Sequence, residues 1–249
     1  MSSITTHRPL TRSLASLVFV LLLLAPLAGA PAAARNKHAL AYPPNAKVAG
    51  KTYGEWAAAW WQWAFSIPAA DHPLLVDSLA AGDRCDVDQP KQVFFLGGVF
   101  NVSGEAERSC TIRPGTTLFF PILNFEADNY LCVNPDTNFE VSDLRDLAKA
   151  NIDTATNLAL EVDGKAVDMS RNRFTSPTFA VTLPEDNLLQ AVGCADALPE
   201  MYQPIVDDGY YVALHPLPPG KHTIHFHGTL PDFGFTLDIT YHLTVKPKG

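Results

Sequence analysis

From Thr52 to Ser66 the chain reads TYGEWAAAWWQWAFS, and at about 100° per residue its large side chains fall on one stripe. Tyr53, Trp56, Ala57, Trp60, Trp63 and Ala64 form the stripe, Trp61 and Phe65 widen it, and Glu55, Gln62 and Ser66 leave a narrow polar edge. Thr52 and Glu55 have capping-box spacing, in which hydroxyl and carboxylate each satisfy a free amide of the first turn. Pro68 ends the helix, because the residue before a proline is driven out of the helical region. The pattern predicts a helix over 52–66 packed on a sheet. The competing reading is an aromatic platform of Trp56, Trp60, Trp61 and Trp63 that stacks on sugar rings. A lipid-interface helix would carry Lys or Arg on its polar face, and this one carries none.

Beyond Cys85 the period changes to two. Strands are expected at Gln92–Phe100, Thr116–Leu123, Leu158–Val162, Lys165–Met169, Thr178–Leu183, Gly209–His215, Lys221–Gly228 and Phe235–Val245, separated mostly by Pro, Gly, Asn and Asp clusters. Asp163-Gly164 signals a two-residue hairpin that sets Leu160 opposite Val167 and Leu158 opposite Met169. A second helix is expected near Ser142–Ile152, capped by Ser142 with Asp143 in its first turn. The fold class that follows is mainly β: an antiparallel β-sandwich, immunoglobulin-like or jelly-roll, with a Trp-rich N-terminal helix and one further short helix. No internal repeat or linker divides residues 35–249, which are read as one domain.

Residues 1–34 are read as a signal peptide. Arg8 and Arg12 form a basic start, Leu17–Ala30 is a short apolar run, and Ala32-Ala33-Ala34 offers a cleavage site. Pro26 and Gly29 interrupt the run before it reaches the length of a membrane span. The formal charge is −8, but removing this segment leaves 16 basic against 26 acidic residues, a balance of −10. That balance disfavours nucleic acid and anionic lipid, both of which require clustered Lys and Arg. Export implies a periplasmic or extracellular protein, with no membrane insertion once the signal is removed. In such a compartment the even set Cys85, Cys110, Cys132 and Cys194 is expected to form two disulfides. Of the three connectivities, Cys85–Cys110 with Cys132–Cys194 is preferred, because the strand-like run between the first two can fold back on itself. Each closure contributes about 3–4.5 kcal/mol on a chain-entropy account.

The segment Leu217-Pro218-Pro219-Gly220-Lys221-His222-Thr223-Ile224 resembles the strand-to-strand corner of immunoglobulin-like sandwiches, although His222 and Thr223 stand where a tyrosine corner holds its Tyr. More broadly, the GKTYGEW…WWQW opening and the PGKHTIHF string resemble a group of uncharacterised exported bacterial β-sandwich proteins. That resemblance implies a fold and a compartment and transfers no catalytic residue.

One constellation carries candidate chemistry. Placing Ile224, Phe226, Leu237, Ile239, Tyr241 and Leu243 in the core pairs Ile224 with Ile239 and Phe226 with Leu237. This register sets His225 opposite Asp238 and His227 opposite Thr236 on the reverse face. The two histidines lie roughly 6.6 Å apart along the strand, a spacing at which His225, His227 and Asp238 can converge on Zn or Cu. The simpler expectation is that His225 donates to Asp238 on a partly solvated face and no cofactor binds. The HFHG string resembles parts of multicopper oxidases, copper–zinc superoxide dismutases and cupins, but the further His clusters of the first two are absent. A cupin site would also need a Glu, for which Asp232 is a poor substitute. Glu126 with Asp128, and Asp86 with Asp88, are acidic pairs able to supply calcium oxygens. No GxSxG, HExxH, P-loop or GxGxxG motif is present.

The expectation is therefore a disulfide-stabilised, non-enzymatic binding or structural module of unknown ligand or protein partner. The alternative is a cupin-like or sandwich metalloprotein using the His-x-His pair, and a third reading is a carbohydrate-binding module using the Trp helix.

Overall fold

A computed structural model describes residues 39–75, 84–100, 103–130, 132 and 138–248. The expected signal peptide, with Asn101 and Val102, lies outside the described residues. Helix α1 is Tyr53–Ser66 and begins with the expected capping box: Glu55 N donates to Thr52 Oγ1 (3.3 Å) and Thr52 N donates to Glu55 Oε2 (2.7 Å). Ile67 is extended before Pro68, as the proline requires.

Among the described residues ten strands follow: β1 Val93–Phe95, β2 Gly104–Ile112, β3 Thr117–Ala127, β4 Thr156–Val162, β5 Lys165–Ala166, β6 Arg173–Thr175, β7 Phe179–Thr182, β8 Met201–Leu214, β9 Gly220–Leu230 and β10 Phe235–Val245. Helix α2 spans Val141–Asp153, and a short α3 spans Leu188–Ala191. Sheet one runs β1-β3-β8-β6, with β7 also on β8; sheet two runs β2-β10-β9-β4-β5. The expected mainly β sandwich forms, antiparallel except at two pairings: β1 lies parallel to β3, and β2 parallel to β10, so both sheets are mixed. Neither parallel partner is the next strand in sequence, and short-range turn signals cannot report such pairings.

Sheet one is buried on both faces, which is why β3 reads as the continuous apolar run TLFFPIL. Phe119, Tyr211 and Ala213 pack toward α1, whereas Leu118, Phe120, Val212 and Leu214 pack toward sheet two. Gly54 sits where a Cβ would come within 2.3 Å of the Thr175 carbonyl oxygen, so the first turn of α1 lies directly on β6. Helix α2 covers the far end of β3 and β8 through Leu144, Ala148, Ala127 and Val206. Its cap is Glu140, whose N–H donates to Asp143, rather than Ser142.

The four tryptophans are core. Their exposures run from 3% to 7%, and each indole N–H reaches an acceptor: Trp56 to Val48 O (2.7 Å), Trp60 to Leu96 O (2.8 Å), Trp61 to Asp207 Oδ1 (2.7 Å) and Trp63 to Val87 O (3.0 Å). Rings buried this way cannot stack on a sugar, so the aromatic-platform reading of Trp56, Trp60, Trp61 and Trp63 is withdrawn. The predicted strands missed β2 because its inward set is Ala106, Arg108, Cys110 and Ile112. A buried arginine interrupts the alternation there. Arg108 is kept inside by the Gly97 and Gly98 carbonyls and the Tyr241 hydroxyl. Both disulfides take the preferred pairing, Cys85–Cys110 and Cys132–Cys194. Among the described residues no helix is long and apolar enough to cross a membrane.

Replacing Trp60 by Ala is expected to cost about 3–5 kcal/mol of stability, read from the denaturant midpoint. A loss under about 1 kcal/mol would show that the indole is not a structural element.

Candidate functional site

The outer face of sheet two carries the histidines of interest. There the observed register differs from expectation by two residues: Ile224 lies opposite Tyr241, Phe226 opposite Ile239, His225 opposite Thr240 and His227 opposite Asp238. Sliding by two leaves every side chain on its expected face, because the side-chain period is two. The connection decides between the registers. Pro231–Phe233 form a short 3-10 turn, Gly234 takes φ 57°, and Leu230 thereby pairs with Phe235. His225 still reaches Asp238, diagonally, with Nε2–H donating to Oδ1 at 2.6 Å. The His225 and His227 ring centroids are 5.7 Å apart.

Carboxylates flank this pair on both sides. Glu161 of β4 lies opposite His225, and Glu105 and Glu107 of β2 lie beyond Asp238 and Thr240. The His225 and Asp238 side chains are 36% and 41% exposed, on an outer sheet face rather than in an enclosed site. Among the described residues no group of three His, Cys, Asp or Glu side chains is arranged to hold a metal ion.

Further along the same face lies a groove of about 570 Å³ lined by Asp86, Ser109, Asp163, Lys221, His222 and His242 beside the Cys85–Cys110 bridge. Asp163 and Gly164 both have positive φ, 52° and 71°, as the expected primed hairpin turn requires. Val167 N donates to Leu160 O at 2.9 Å, which sets those two residues opposite each other. Asp163 then links the turn to the β9 corner: Thr223 N donates to Oδ1 (2.9 Å), and His222 Nδ1 lies 2.7 Å from Oδ2. The other imidazole nitrogen meets Pro218 O at 2.8 Å. Burial lowers the His222 pKa, but its bonds to Asp163 and Pro218 outweigh that and leave it raised above 6.5. His222 thus does the tethering that a tyrosine does in a tyrosine corner.

A second cluster is buried between α1 and sheet one. Asp207 of β8 lies opposite Glu126 of β3. Asp207 is 1% exposed, and Trp61 Nε1 and the Tyr211 hydroxyl both donate to its Oδ1. Its Oδ2 and the Oε2 of Glu126 are shielded from solvent and have no hydrogen-bond partner among the described residues. Burial pushes the Asp207 pKa up to about 8; the bonds from Trp61 and Tyr211 hold it down and the Asp208 charge raises it further. Burial also raises Glu126 well above the ordinary carboxylate range, and the adjoining Asp128 adds to the effect. Glu126 and Asp128 were legible as an acidic pair, but Asp207 was not, because the expected strand starts at Gly209 and leaves Asp207 and Asp208 in front of it. In the structure Asp208 points away from Asp207 to the Arg173 guanidinium, Nε to Oδ1 at 2.8 Å.

A third feature lies at the end of the sandwich carrying the Cys132–Cys194 bridge. The Asn129 side chain brackets the Phe139 backbone, Nδ2 donating to Phe139 O (2.9 Å) and Oδ1 accepting from Phe139 N (2.7 Å), and Tyr130 meets Tyr202 with ring centroids 6.1 Å apart. The Tyr202 hydroxyl in turn accepts from Leu198 N (2.9 Å) and donates to Leu198 O (3.1 Å).

Fold and cross-links define a mainly β, doubly disulfide-bonded sandwich protein. No protein-family model matches the chain, and no curated protein does. Among solved structures, the cysteine protease inhibitor EhICP2 from Entamoeba histolytica aligns at TM-score 0.23 and 10% identity, over 63% of this chain and 99% of that one. PbICP-C, solved in complex with falcipain-2, aligns at TM-score 0.24 and 13% identity, over 62% and 99%. At these scores the likeness does not bear on function.

Both raised pKa values predict a stability that falls as pH rises. An acid whose pKa is higher when folded stabilises the fold below its ordinary value and loses that contribution on ionisation. For Asp207 the loss runs from the ordinary carboxylate value of 3.8 to about 8. Asp207→Asn keeps an acceptor for Trp61 and Tyr211, and its denaturant midpoint is expected to vary less between pH 5 and 8 than that of the unmutated chain. Equal slopes would refute the assignment.

His222 stabilises the fold below its ordinary value of 6.5 and loses that contribution as pH rises through its raised folded value. His222→Ala is expected to be most destabilising at pH 6 and least at pH 9, compared by thermal melts in the same buffers. A penalty independent of pH would show that the imidazole acts only by packing.

Proposed function

We propose that the protein is exported and acts outside the cytoplasm as a disulfide-stabilised, non-enzymatic binding module. The observation that carries this reading is where the cross-links lie. Cys132 is exposed and Cys194 half-buried, and their bond joins the segment after β3 to the segment after α3 rather than sheet to sheet. Cys85–Cys110 likewise ties the segment before β1 to edge strand β2. Fixing surface loops in advance lowers the ordering cost of association, so pre-organised loops on a rigid sandwich suit binding. Disulfides also persist where the surroundings are oxidising, in accord with the signal-like residues 1–34.

The test is reconstitution. The mature chain, immobilised through its C-terminus, captures proteins from periplasmic and extracellular fractions, and each captured protein is purified and recombined with it. A 1:1 complex with the partner chemically unchanged is expected. Turnover of the partner would overturn the reading. So would stoichiometric Zn or Cu in the purified protein that disappears in His225→Ala, since that result would establish the metalloprotein alternative at His225, His227 and Asp238.

A further inference from the structure

Tyr130, Phe139, Leu198 and Met201 are 51%, 41%, 54% and 59% exposed, and all four lie at the end carrying the Cys132–Cys194 bridge. Tyr130 and Phe139 lie between β3 and α2, Leu198 lies after α3 and Met201 opens β8; the disulfide and the Tyr130–Tyr202 ring contact join the two sides. The Tyr202 hydroxyl holds the Leu198 backbone and the Asn129 side chain holds the Phe139 backbone. Large apolar side chains exposed together at one end mark an interaction surface, unlike single apolar residues scattered over a surface.

Charge gives the cluster a direction. The chain has no Lys or Arg between Arg113 and Arg145, and none between Arg173 and Lys221. These two stretches supply both sides. Exposed acids sit beside the apolar side chains: Glu140 follows Phe139, Glu200 precedes Met201, and Asp196 is two residues from Leu198. Apolar contacts ringed by exposed carboxylates repel phosphate and anionic lipid. A second copy of the chain would set the same acids against one another, because a twofold interface pairs each patch with itself.

Resting on the binding-module reading, we infer that this end of the sandwich is the docking surface for a cationic, amphipathic segment of a protein partner. Its apolar side chains cover Leu198, Met201, Tyr130 and Phe139, and its Lys or Arg residues meet Glu140, Asp196 and Glu200. Opposite potentials around an apolar centre speed encounter and select the partner, while the centre supplies most of the affinity.

Three fluorescently labelled peptides test this against the mature, disulfide-intact chain by anisotropy titration: an amphipathic Lys/Leu helix, its Glu/Leu counterpart, and oligolysine. The Lys/Leu peptide is expected to bind, the Glu/Leu peptide to fail, and oligolysine to bind at least about tenfold more weakly. Leu198→Ser with Met201→Ser, and separately Glu140→Gln with Glu200→Gln, should each weaken Lys/Leu binding about tenfold or more. Only the loss in the Glu pair should shrink as salt is raised, because salt already screens those carboxylates in the unmutated chain. Leu198→Ser/Met201→Ser should melt with the unmutated chain; because Glu140 caps α2, the Glu pair is titrated at a temperature where circular dichroism shows it fully folded. Absent Lys/Leu binding, equal Glu/Leu binding, or undiminished binding by either double variant overturns the inference. A reconstituted partner that binds Leu198→Ser/Met201→Ser as tightly as the unmutated chain would also overturn it and leave the binding-module reading standing. Selective peptide binding combined with turnover of the native partner would instead remove the non-enzymatic reading and leave the surface.

Discussion

An indole can be buried only if its N–H finds an acceptor, and α1 buries four of them on one face of sheet one. The acceptors are spread through the molecule: Val48 before the helix, Val87 and Leu96 on the segment leading to and past β1, and Asp207 on β8. That demand fixes the position of the helix. It also explains why an ionisable carboxyl sits in the core. Asp207 is the acceptor that Trp61 and Tyr211 share, and Asn124 donates to the Tyr211 hydroxyl behind it. The pair Asp207 and Glu126, facing one another across β8 and β3, is the electrostatic consequence. Two carboxyls with solvent-shielded oxygens favour the protonated form.

The opposite side of the sandwich is closed by a different device. Edge strand β2 turns Arg108 inward to the Gly97 and Gly98 carbonyls, and the Tyr241 hydroxyl completes the group by donating to Gly97 O at 2.7 Å. The Cys85–Cys110 bond holds the same edge covalently. Apolar packing, the indole bonds and the Arg108 group fill the interior, with Asp207 Oδ2 and Glu126 Oε2 left without a partner among the described residues, and the exposed polar groups are on loops and on the outer face of sheet two. The half-exposed histidines and carboxylates of that face and the apolar end near Cys132–Cys194 are separate surfaces of different chemistry.

Legibility followed the purity of each pattern. Helix α1 was legible because a 3.6-residue aromatic stripe, a capping box and a terminating proline agree. The β4–β5 turn was legible because Asp163-Gly164 suits two successive positive φ values. The front of β8 was not, since Pro204 and the Asp207-Asp208 pair look like a loop and are accommodated only by the tertiary contacts of Trp61, Tyr211 and Arg173. The His225–Asp238 contact was expected from a register two residues away from the true one. It forms nonetheless because the Asp238 side chain reaches the diagonal neighbour.

Periodicity is a local property, so the sequence by itself determined helix α1, the body of α2, the apolar faces of β4, β9 and β10, and that β9 and β10 present histidines and an acid on one side, while α3 and β2 escaped it. Parity along a strand is set by alternation, whereas absolute register, strand order and parallel pairing depend on contacts between residues far apart in sequence. Those were decided by the turn at Pro231–Gly234, by Arg108 inside β2 and by the placement of β1 beside β3. The exposed apolar end is likewise a tertiary result. Tyr130, Phe139, Leu198 and Met201 carry no periodic signal and come together only when the sandwich brings the ends of β3 and β8 side by side.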